Sequence, residues 1–296
     1  MNWDDFRIFL AVARNGTLAQ AAARLNIDPT TVARRIQRLE RALSSTLFEH
    51  MHTGHILTAR GTLLVECVQS MEDATIAAAE MAGNSGGGTA GVIRVSVSEG
   101  FGTGIIARNL HTFIRLHPNI EVELVTSSGF LSPSRREADI AIMLARPKKG
   151  PLIVRKLTNY NLGLYGNAAT SNVDDISEIG NHPIVGYVPD QIYAPELRYL
   201  DEIAGNPVAT LTSTSVNAQA QMVRHGAGIG ILPCFIGDLD RDLRRLLPDK
   251  IDIRRSFWLV VHRDMRSVAR VRYFMDWLTA LVANLQPLLE GNINVR

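Results

Sequence analysis

Four arginines and two threonines occur together between positions 30 and 41. At helical spacing they form one polar face, which comprises Thr30, Thr31, Arg34, Arg35, Arg38 and Arg41. A guanidinium group can bind guanine edges or phosphates, and threonine offers a small hydroxyl and a methyl group that suits thymine. The pattern predicts contact with double-stranded DNA, and its alternative is a basic helix face that is only solvated.

Three histidines, at positions 50, 52 and 55, could suggest a zinc site. They alternate along one short segment that has no neighbouring cysteine or carboxylate cluster, so we expect no metal there. Imidazoles at His52 and His55 are better suited to lie near DNA phosphates. The two cysteines, Cys67 and Cys234, are far apart in sequence and predict neither a metal site nor a disulfide.

No arrangement of residues predicts an enzyme or a cofactor. Residues 226–230 (GAGIG) follow a predicted helix and precede a predicted strand, the reverse of the order that a dinucleotide-binding loop requires. No Ser-His-Asp set or carboxylate pair can be assembled from the predicted loops. The chain of 296 residues has ordinary globular composition, with 46% hydrophobic residues and a net charge of +2. Without a long apolar run or a secretory signal, it is expected in the cytoplasm and outside the membrane.

Three short helices must position the basic face, and the spacing of apolar residues places them at 3–14, 18–25 and 29–43. Thr17 can cap the second helix, while Asp28 and Pro29 are a favourable start for the third. Two helices joined by a tight turn, the second basic, are typical of a helix-turn-helix. The apolar segments on either side of Gly54 predict a β-hairpin, the wing.

A longer helix is predicted after the wing. Leu64, Cys67, Met71, Ala74, Ala78 and Met81 recur at spacings of three and four. One helix cannot bury such a stripe alone, so we expect it to pair with a second copy of the chain. Residues 83–91, rich in glycine, predict a flexible hinge.

Beyond the hinge, short strands alternate with helices, which predicts an α/β domain. Strands are expected at 92–97, 121–125, 140–144, 162–165, 184–188, 209–212, 229–232 and 257–261, with helices at 104–116, 216–225 and 267–289. Ligands of α/β domains bind beyond the carboxyl ends of the strands. Ser98 and Glu99 end the first strand, Ser127 and Ser128 follow the second, and Arg146 follows the third.

Residues 3–61 resemble the winged DNA-binding domain of the LysR-type transcriptional regulators. The resemblance is carried by the spacing of Ala21-Ala22, Leu25, Arg35-Ile36, Leu39-Glu40, Leu43, Leu47-Phe48 and Thr58 to Gly61. It implies that the third helix enters the major groove with Pro29, Thr30, Ala33 and Arg34 near base edges. The full set of expected DNA-contacting residues is Thr17, Pro29, Thr30, Thr31, Ala33, Arg34, Arg35, Arg38, His52 and His55, with Arg38 nearer to phosphate.

Residues 91–266 are similar to the effector domain of the same family. The similarity lies in FGTG at 101–104, LHP at 116–118, ADIAI at 138–142, LGLY at 162–165 and GAGIGILP at 226–233. It implies a fold like that of the periplasmic solute-binding proteins, with two α/β subdomains, a ligand cleft between them, and crossover strands that we place near 157–161 and 261–266. The predicted organisation is a winged helix-turn-helix at 1–58, a dimerisation helix at 59–82, a hinge at 83–91 and an effector domain at 92–296. Subdomain I then comprises 92–160 and 267–296, and subdomain II comprises 161–266.

The same resemblance places the effector site in that cleft. The expected lining from subdomain I is Ser98, Glu99, Ser127, Ser128 and Arg146, and from subdomain II it is Tyr193, Thr212, Ser213 and Thr214. Arg146 would favour an effector with a carboxylate. Glu99 could instead neutralise Arg146 and leave a site for a neutral or cationic compound, and both readings stay open.

The predicted function is therefore sequence-specific DNA binding by a dimer, under the control of a small-molecule effector. The family resemblance further implies that dimers pair as tetramers and that the protein contacts RNA polymerase. The alternative is a small-molecule-binding α/β protein whose N-terminal helices serve only for oligomerisation.

Overall fold

The structure, a computed structural model, describes residues 2–51, 54–81, 89–126, 133, 137–147 and 149–292. Internal contacts divide the chain into two units, Met1–Gly86 and Gly87–Arg296. His52, Ser127 and Ser128 lie outside the described residues.

The N-terminal unit contains three helices, a hairpin and a long fourth helix. They are α1 (Trp3–Asn15), α2 (Leu18–Leu25), α3 (Pro29–Leu43), β1 (Phe48–Met51), β2 (Gly54–Leu57) and α4 (Ala59–Met81). Local sequence explains the boundaries, since the side chains of Thr17 and Asp28 accept hydrogen bonds from the first backbone N–H groups of α2 and α3. α3 ends at Ser44, whose φ of +49° terminates the helix. The predicted helix-turn-helix and wing are thus confirmed.

A single apolar core joins these elements. Phe9 of α1, Ala21 of α2, Ile36 of α3 and Val68 of α4 are all buried in it. Gly61 lets the start of α4 approach the wing closely, because a Cβ there would lie 2.2 Å from the backbone oxygen of Leu47.

The described residues of the C-terminal unit form nine strands, β3 to β11, and six helices, α5 to α10. The strands are β3 (Gly91–Val97), β4 (Ile120–Thr126), β5 (Ile140–Met143), β6 (Leu152–Asn167), β7 (Ile184–Gly186), β8 (Leu211–Thr212), β9 (Ile229–Pro233), β10 (Leu243–Leu246) and β11 (Ile253–His262). The helices are α5 (Glu99–Phe101), α6 (Arg108–Leu116), α7 (Val216–Arg224), α8 (Cys234–Gly237), α9 (Ala269–Asn284) and α10 (Gln286–Leu289), and a π-helical segment, Gly102–Ala107, joins α5 to α6. Short 3-10 helices occupy Ile176–Asn181, Pro189–Gln191, Pro195–Leu197, Leu200–Glu202 and Arg263–Ser267.

The strands form one mixed sheet in the order β4-β3-β5-β11-β6-β9-β7-β8, with β10 also paired to β6. β3 runs parallel to β4 and β5, and β7 runs parallel to β8 and β9. The two parallel groups are joined by the antiparallel pair β6 and β11. The result is two α/β halves connected by two crossover strands, the architecture that the sequence predicts.

The second crossover lies earlier than predicted. Trp258–Val261 already pairs with β5 of the first half, and the register of β11 shifts between Phe257 and Trp258. Residues 263–266, which the prediction placed in this crossover, belong to the 3-10 helix Arg263–Ser267 instead. The crossing is therefore at the irregularity beside Phe257.

The termini of several helices also differ from the prediction. The helix expected from 104 begins at Glu99, and the strand β10 has no counterpart in the prediction. The helix expected at 267–289 is divided at Leu285 into α9 and α10. α9 packs on the first half, where Trp277 donates to Thr112 across 2.8 Å, but α10 also packs on α8 of the second half.

Candidate nucleic-acid interface and ligand cleft

The two faces of α3 have opposite environments. Val32, Ile36 and Leu39 are buried in the core, while Thr30 and Arg34, one helical turn apart, are exposed. Among the described residues, Arg34 has no hydrogen bond and no ion pair. Its guanidinium is therefore available to a base edge or a phosphate.

Thr30, Thr31, Pro29 and Ala33 lie with Arg34 in the first turns of α3. Pro29 and Thr30 are exposed, and Thr31 and Ala33 are half-buried. The hydroxyl of Thr30 donates to the Asp28 carboxylate, which fixes the side chain at the start of the helix. The structure therefore brings these five predicted residues together on one surface.

Arg35 and Arg38 are placed differently from the prediction. Nε of Arg38 donates to Oδ2 of Asp5 across 2.9 Å, and its Nη2 donates to the other oxygen. Arg35 bridges Asp4 and Asp5 at 2.7 Å and 3.2 Å. The phosphate contact of Arg38 stays a prediction, and in the structure its guanidinium pairs with a buried carboxylate and joins α3 to α1.

Asp5 is 3% exposed although it carries a charge. Burial alone would raise the pKa of this carboxyl, but the hydrogen bonds from Arg38 and Arg35 outweigh it and the pKa is lowered from 3.8. Asp5 therefore stays ionised and holds α3 in position against α1.

The wing packs against the turn between α1 and α2. Gly54 has a φ of +139°, and a Cβ there would lie 2.6 Å from the backbone oxygen of Gly16. The backbone N–H of His55 donates to the same oxygen across 2.8 Å, and its ring meets Phe48 edge-on. The imidazole of His55 is therefore held against the unit, whereas the side chain of Thr17 caps α2.

The predicted dimer stripe on α4 is divided between two faces. Leu64 is partly buried against the core of the N-terminal unit, near the buried Val68, so its place in the intermolecular seam stays a prediction. Cys67 and Met71 are exposed, as is Leu63. Because Leu63, Cys67 and Met71 follow each other at a spacing of four, they form one exposed apolar row.

The C-terminal unit contains a small cavity, of about 30 Å³, where its two halves meet. Four predicted effector residues line it: Ser98 and Glu99 from the first half, and Tyr193 and Thr214 from the second. The remaining described candidates lie elsewhere. Thr212 is exposed in β8, Ser213 accepts a hydrogen bond from buried Gln219, and Arg146 lies over the ring of Trp258, 5.5 Å from its centroid. The predicted carboxylate anchor is therefore absent from the described lining.

Two hydrogen-bonded pairs cross between the halves beside this cavity. Oγ of Ser215 donates to Oε1 of Glu99 across 2.9 Å, and Thr103 meets Asn217 at 3.2–3.3 Å. Ser215 also caps α7, since its Oγ accepts from the backbone N–H of Ala218. Glu99 thus contacts both the cavity and the opposite half.

Of the fifteen described residues that line the cavity, seven are aromatic, and the sequence prediction anticipated only one of them, Tyr193. The rings belong to Phe101, Tyr160, Tyr187, Tyr193, Tyr199, Phe235 and Phe257. Tyr160 and Phe257 stack at 4.2 Å, and Tyr187 meets Tyr199 edge-on at 6.0 Å. Burial raises the pKa of Tyr160, Tyr187 and Tyr199, and it raises the pKa of Tyr193 to about 12. All four phenols are therefore neutral hydrogen-bonding groups at neutral pH.

Within the described ranges, no group of three His, Cys, Asp or Glu side chains could hold a metal ion. Burial raises the pKa of the Cys234 thiol to about 11, so it is a packed side chain and not a thiolate. Of the helices that the structure describes, none is both long and apolar enough to cross a bilayer.

Comparisons with known proteins agree with this arrangement. Residues 3–62 match the family described as "Bacterial regulatory helix-turn-helix protein, lysR family", and residues 86–283 match "LysR substrate binding domain". The chain is 27% identical over 287 residues to the "Mau operon transcriptional activator" of Paracoccus denitrificans, a match that covers 96% of this chain and 97% of the relative.

Solved structures show the same fold. Full-length OxyR from Pseudomonas aeruginosa aligns with a TM-score of 0.72 at 14% identity, over 95% of this chain and 98% of that one. CrgA from Neisseria meningitidis, a LysR-type transcriptional regulator, aligns with a TM-score of 0.58 at 23% identity over the same shares. The two family matches and the curated relative favour regulation over the alternative of a binding protein with a purely oligomerising N-terminal unit.

Proposed function

Since the chain belongs to the LysR family of transcriptional regulators, which bind DNA and small-molecule effectors and form oligomers, we propose that α3 reads the major groove through Thr30, Ala33 and Arg34. The observation that carries this proposal is the exposed guanidinium of Arg34, which pairs with no described residue and lies one turn from Thr30, on the face opposite to buried Ile36. Pro29 and Thr31 complete this surface, and His52, His55 and Thr17 lie on the segments that would flank it. Arg35 and Arg38 act through Asp5 as positioning residues.

Two copies of the chain pair through α4 in this proposal. The exposed row of Leu63, Cys67 and Met71 begins the seam, and Ala74, Ala78 and Met81 continue it along the sequence pattern. A dimer presents two recognition helices to two half-sites. The same proposal includes the pairing of dimers as tetramers, a cytoplasmic location and contact with RNA polymerase. We assign the chain no catalytic role.

The effector occupies the cavity between the halves of the C-terminal unit. The support is that Ser98, Glu99, Tyr193 and Thr214 converge there from opposite halves. A ligand that contacts both halves favours one of their relative placements over the other, and so alters the arrangement of subunits on DNA.

Selection of genomic fragments tests the DNA-reading part of the proposal. Fragments retained by the full-length protein at physiological salt are sequenced and compared with those retained by Arg34→Ala. We expect a shared motif with two half-sites to be enriched by the wild type and lost with Arg34→Ala. Equal enrichment by both proteins would exclude α3 as the reading element.

A further inference from the structure

The charge of the cavity between the two halves is carried by one side chain. Among the described residues that line it, Glu99 is the only ionisable acid or base apart from the tyrosines, and no Lys, Arg or His contributes to the wall. A buried anionic ligand would face this carboxylate with no lining cation to offset the repulsion.

The nearby basic groups are directed elsewhere. Arg146 lies over the ring of Trp258. The guanidinium of Arg255 lies 5.9 Å from the centroid of the Tyr199 ring. It donates to both carboxylate oxygens of Glu202 and to the backbone oxygen of Glu196. Arg255 is not among the lining residues. The positive charge of Arg255 is therefore paired with Glu202, outside the lining of the cavity.

The wall itself suits a positive charge. Tyr160, Tyr187, Tyr193 and Tyr199 line the same cavity as Glu99, and the rings of Tyr187 and Tyr199 meet at 66°. Aromatic faces attract ammonium groups within about 6 Å, and the attraction is strongest where water is excluded. Neutral phenol oxygens add acceptors for ammonium N–H groups.

We propose that this cavity binds a small organic cation, whose ammonium group pairs with Glu99 and lies against the tyrosine rings. The inference rests on the proposed function, which places the effector in this cavity, and adds the chemical class of the ligand. Of the two readings that the sequence left open, it favours the one that depends on Glu99 over the carboxylate that depends on Arg146.

The same pairing explains how the ligand is sensed. Glu99 accepts a hydrogen bond from Ser215, which caps α7 in the opposite half. An ammonium group at Glu99 shares that carboxylate with Ser215 and so acts directly on a contact between the halves. Binding of the cation is thereby linked to their relative placement.

Binding of matched small molecules to the full-length protein tests the proposal. Each set of probes shares a carbon skeleton and differs in charge, as butylammonium, 1-butanol and valerate do. Further sets are built on phenethylammonium, 1,4-diaminobutane and hexyltrimethylammonium, each with its alcohol and carboxylate counterparts. Thermal shift identifies the ligands, and calorimetry gives their affinities.

We expect at least one ammonium compound to bind at least about tenfold more tightly than its alcohol and carboxylate counterparts. Glu99→Gln, which keeps an acceptor for Ser215, should weaken that binding by about tenfold or more, and Glu99→Asp should recover part of it. The matched control is Glu123→Gln in β4, whose carboxylate pairs with Arg94 away from the cavity and which should bind like the wild type.

The outcomes separate this inference from the proposed function. Tighter binding of an alcohol or carboxylate, lost in Tyr199→Ala, would overturn the cation but keep the cavity as the effector site. Failure of every ammonium compound at about 10 mM would also overturn it. Binding that neither Glu99→Gln nor Tyr199→Ala alters would place the site elsewhere and contradict both.

Discussion

Arg34 and Arg38 are one turn apart on α3, and the structure predicts opposite consequences of removing them. Arg34 is exposed and forms no hydrogen bond or ion pair with any described residue, so Arg34→Ala should leave the thermal unfolding temperature unchanged. If its guanidinium forms two hydrogen bonds with a base edge, Arg34→Ala should lose about 1–3 kcal/mol of binding free energy at the preferred site. This corresponds to a roughly 5- to 150-fold weaker Kd. Binding to unrelated DNA should change much less.

Arg38→Ala should act on folding instead. It removes two hydrogen bonds from Asp5 and leaves a nearly buried carboxylate with Arg35 as its remaining charged partner. The unfolding temperature of the N-terminal unit should fall, and affinity for all DNA sequences should fall with it.

Fluorescence anisotropy at one fixed salt concentration, on the selected site and on a scrambled sequence, measures both effects, and calorimetry supplies the unfolding temperatures. The reasoning is refuted if Arg34→Ala binds the selected site as tightly as the wild type. It is equally refuted if Arg38→Ala keeps its unfolding temperature and loses only DNA affinity.

Three further predictions concern assembly, the wing and pH. Met71→Glu puts a charge in the exposed row of α4 and should shift sedimentation from dimer to monomer without lowering the unfolding temperature. An unchanged sedimentation coefficient would contradict the proposed dimer interface. Gly54→Val places a Cβ against the backbone oxygen of Gly16, at a residue whose φ is positive. It should therefore lower both the unfolding temperature and the affinity for DNA. Unchanged values would contradict the close approach of the wing to Gly16. Because the pKa of Asp5 is lowered from 3.8 in the folded protein, its stabilising effect is complete at neutral pH and is lost as the pH falls below about 4. Asp5→Asn should therefore unfold more easily in urea at pH 7 and lose this difference in acid, and a constant difference would contradict the ion pair.

The sequence was sufficient for the N-terminal unit because its boundaries depend on local signals. Thr17 and the Asp28-Pro29 pair start α2 and α3, and both helices begin at the predicted residues. The roles of individual arginines were less predictable. Nothing in the spacing of α3 indicates that Asp5 of α1 occupies the guanidinium of Arg38, since that contact depends on how two helices cross.

The C-terminal unit shows the same limit over longer distances. The strands other than β10 were located, but the lengths of β6 and β11 depend on pairing between segments about 100 residues apart, and so the crossover beside Phe257 was misplaced. Ser98, Glu99, Tyr193 and Thr214 could be predicted from strand ends and from the family resemblance. Tyr187 and Tyr199 could not, because they reach the cavity from irregular segments without a periodic pattern.

Affinity cleavage of DNA tests most directly the central claim that the start of α3 lies in the major groove. A cysteine at position 30 (Thr30→Cys), in a protein whose exposed Cys67 is replaced by serine, carries iron-EDTA to the selected site. Arg41→Cys, at the other end of the same helix, is the matched control. We predict strong cleavage within each half-site from position 30, and weaker cleavage displaced from the half-site from position 41. Equal cleavage from both positions, or cleavage from position 30 that is not confined to the half-sites, would contradict the assignment of α3 as the recognition helix.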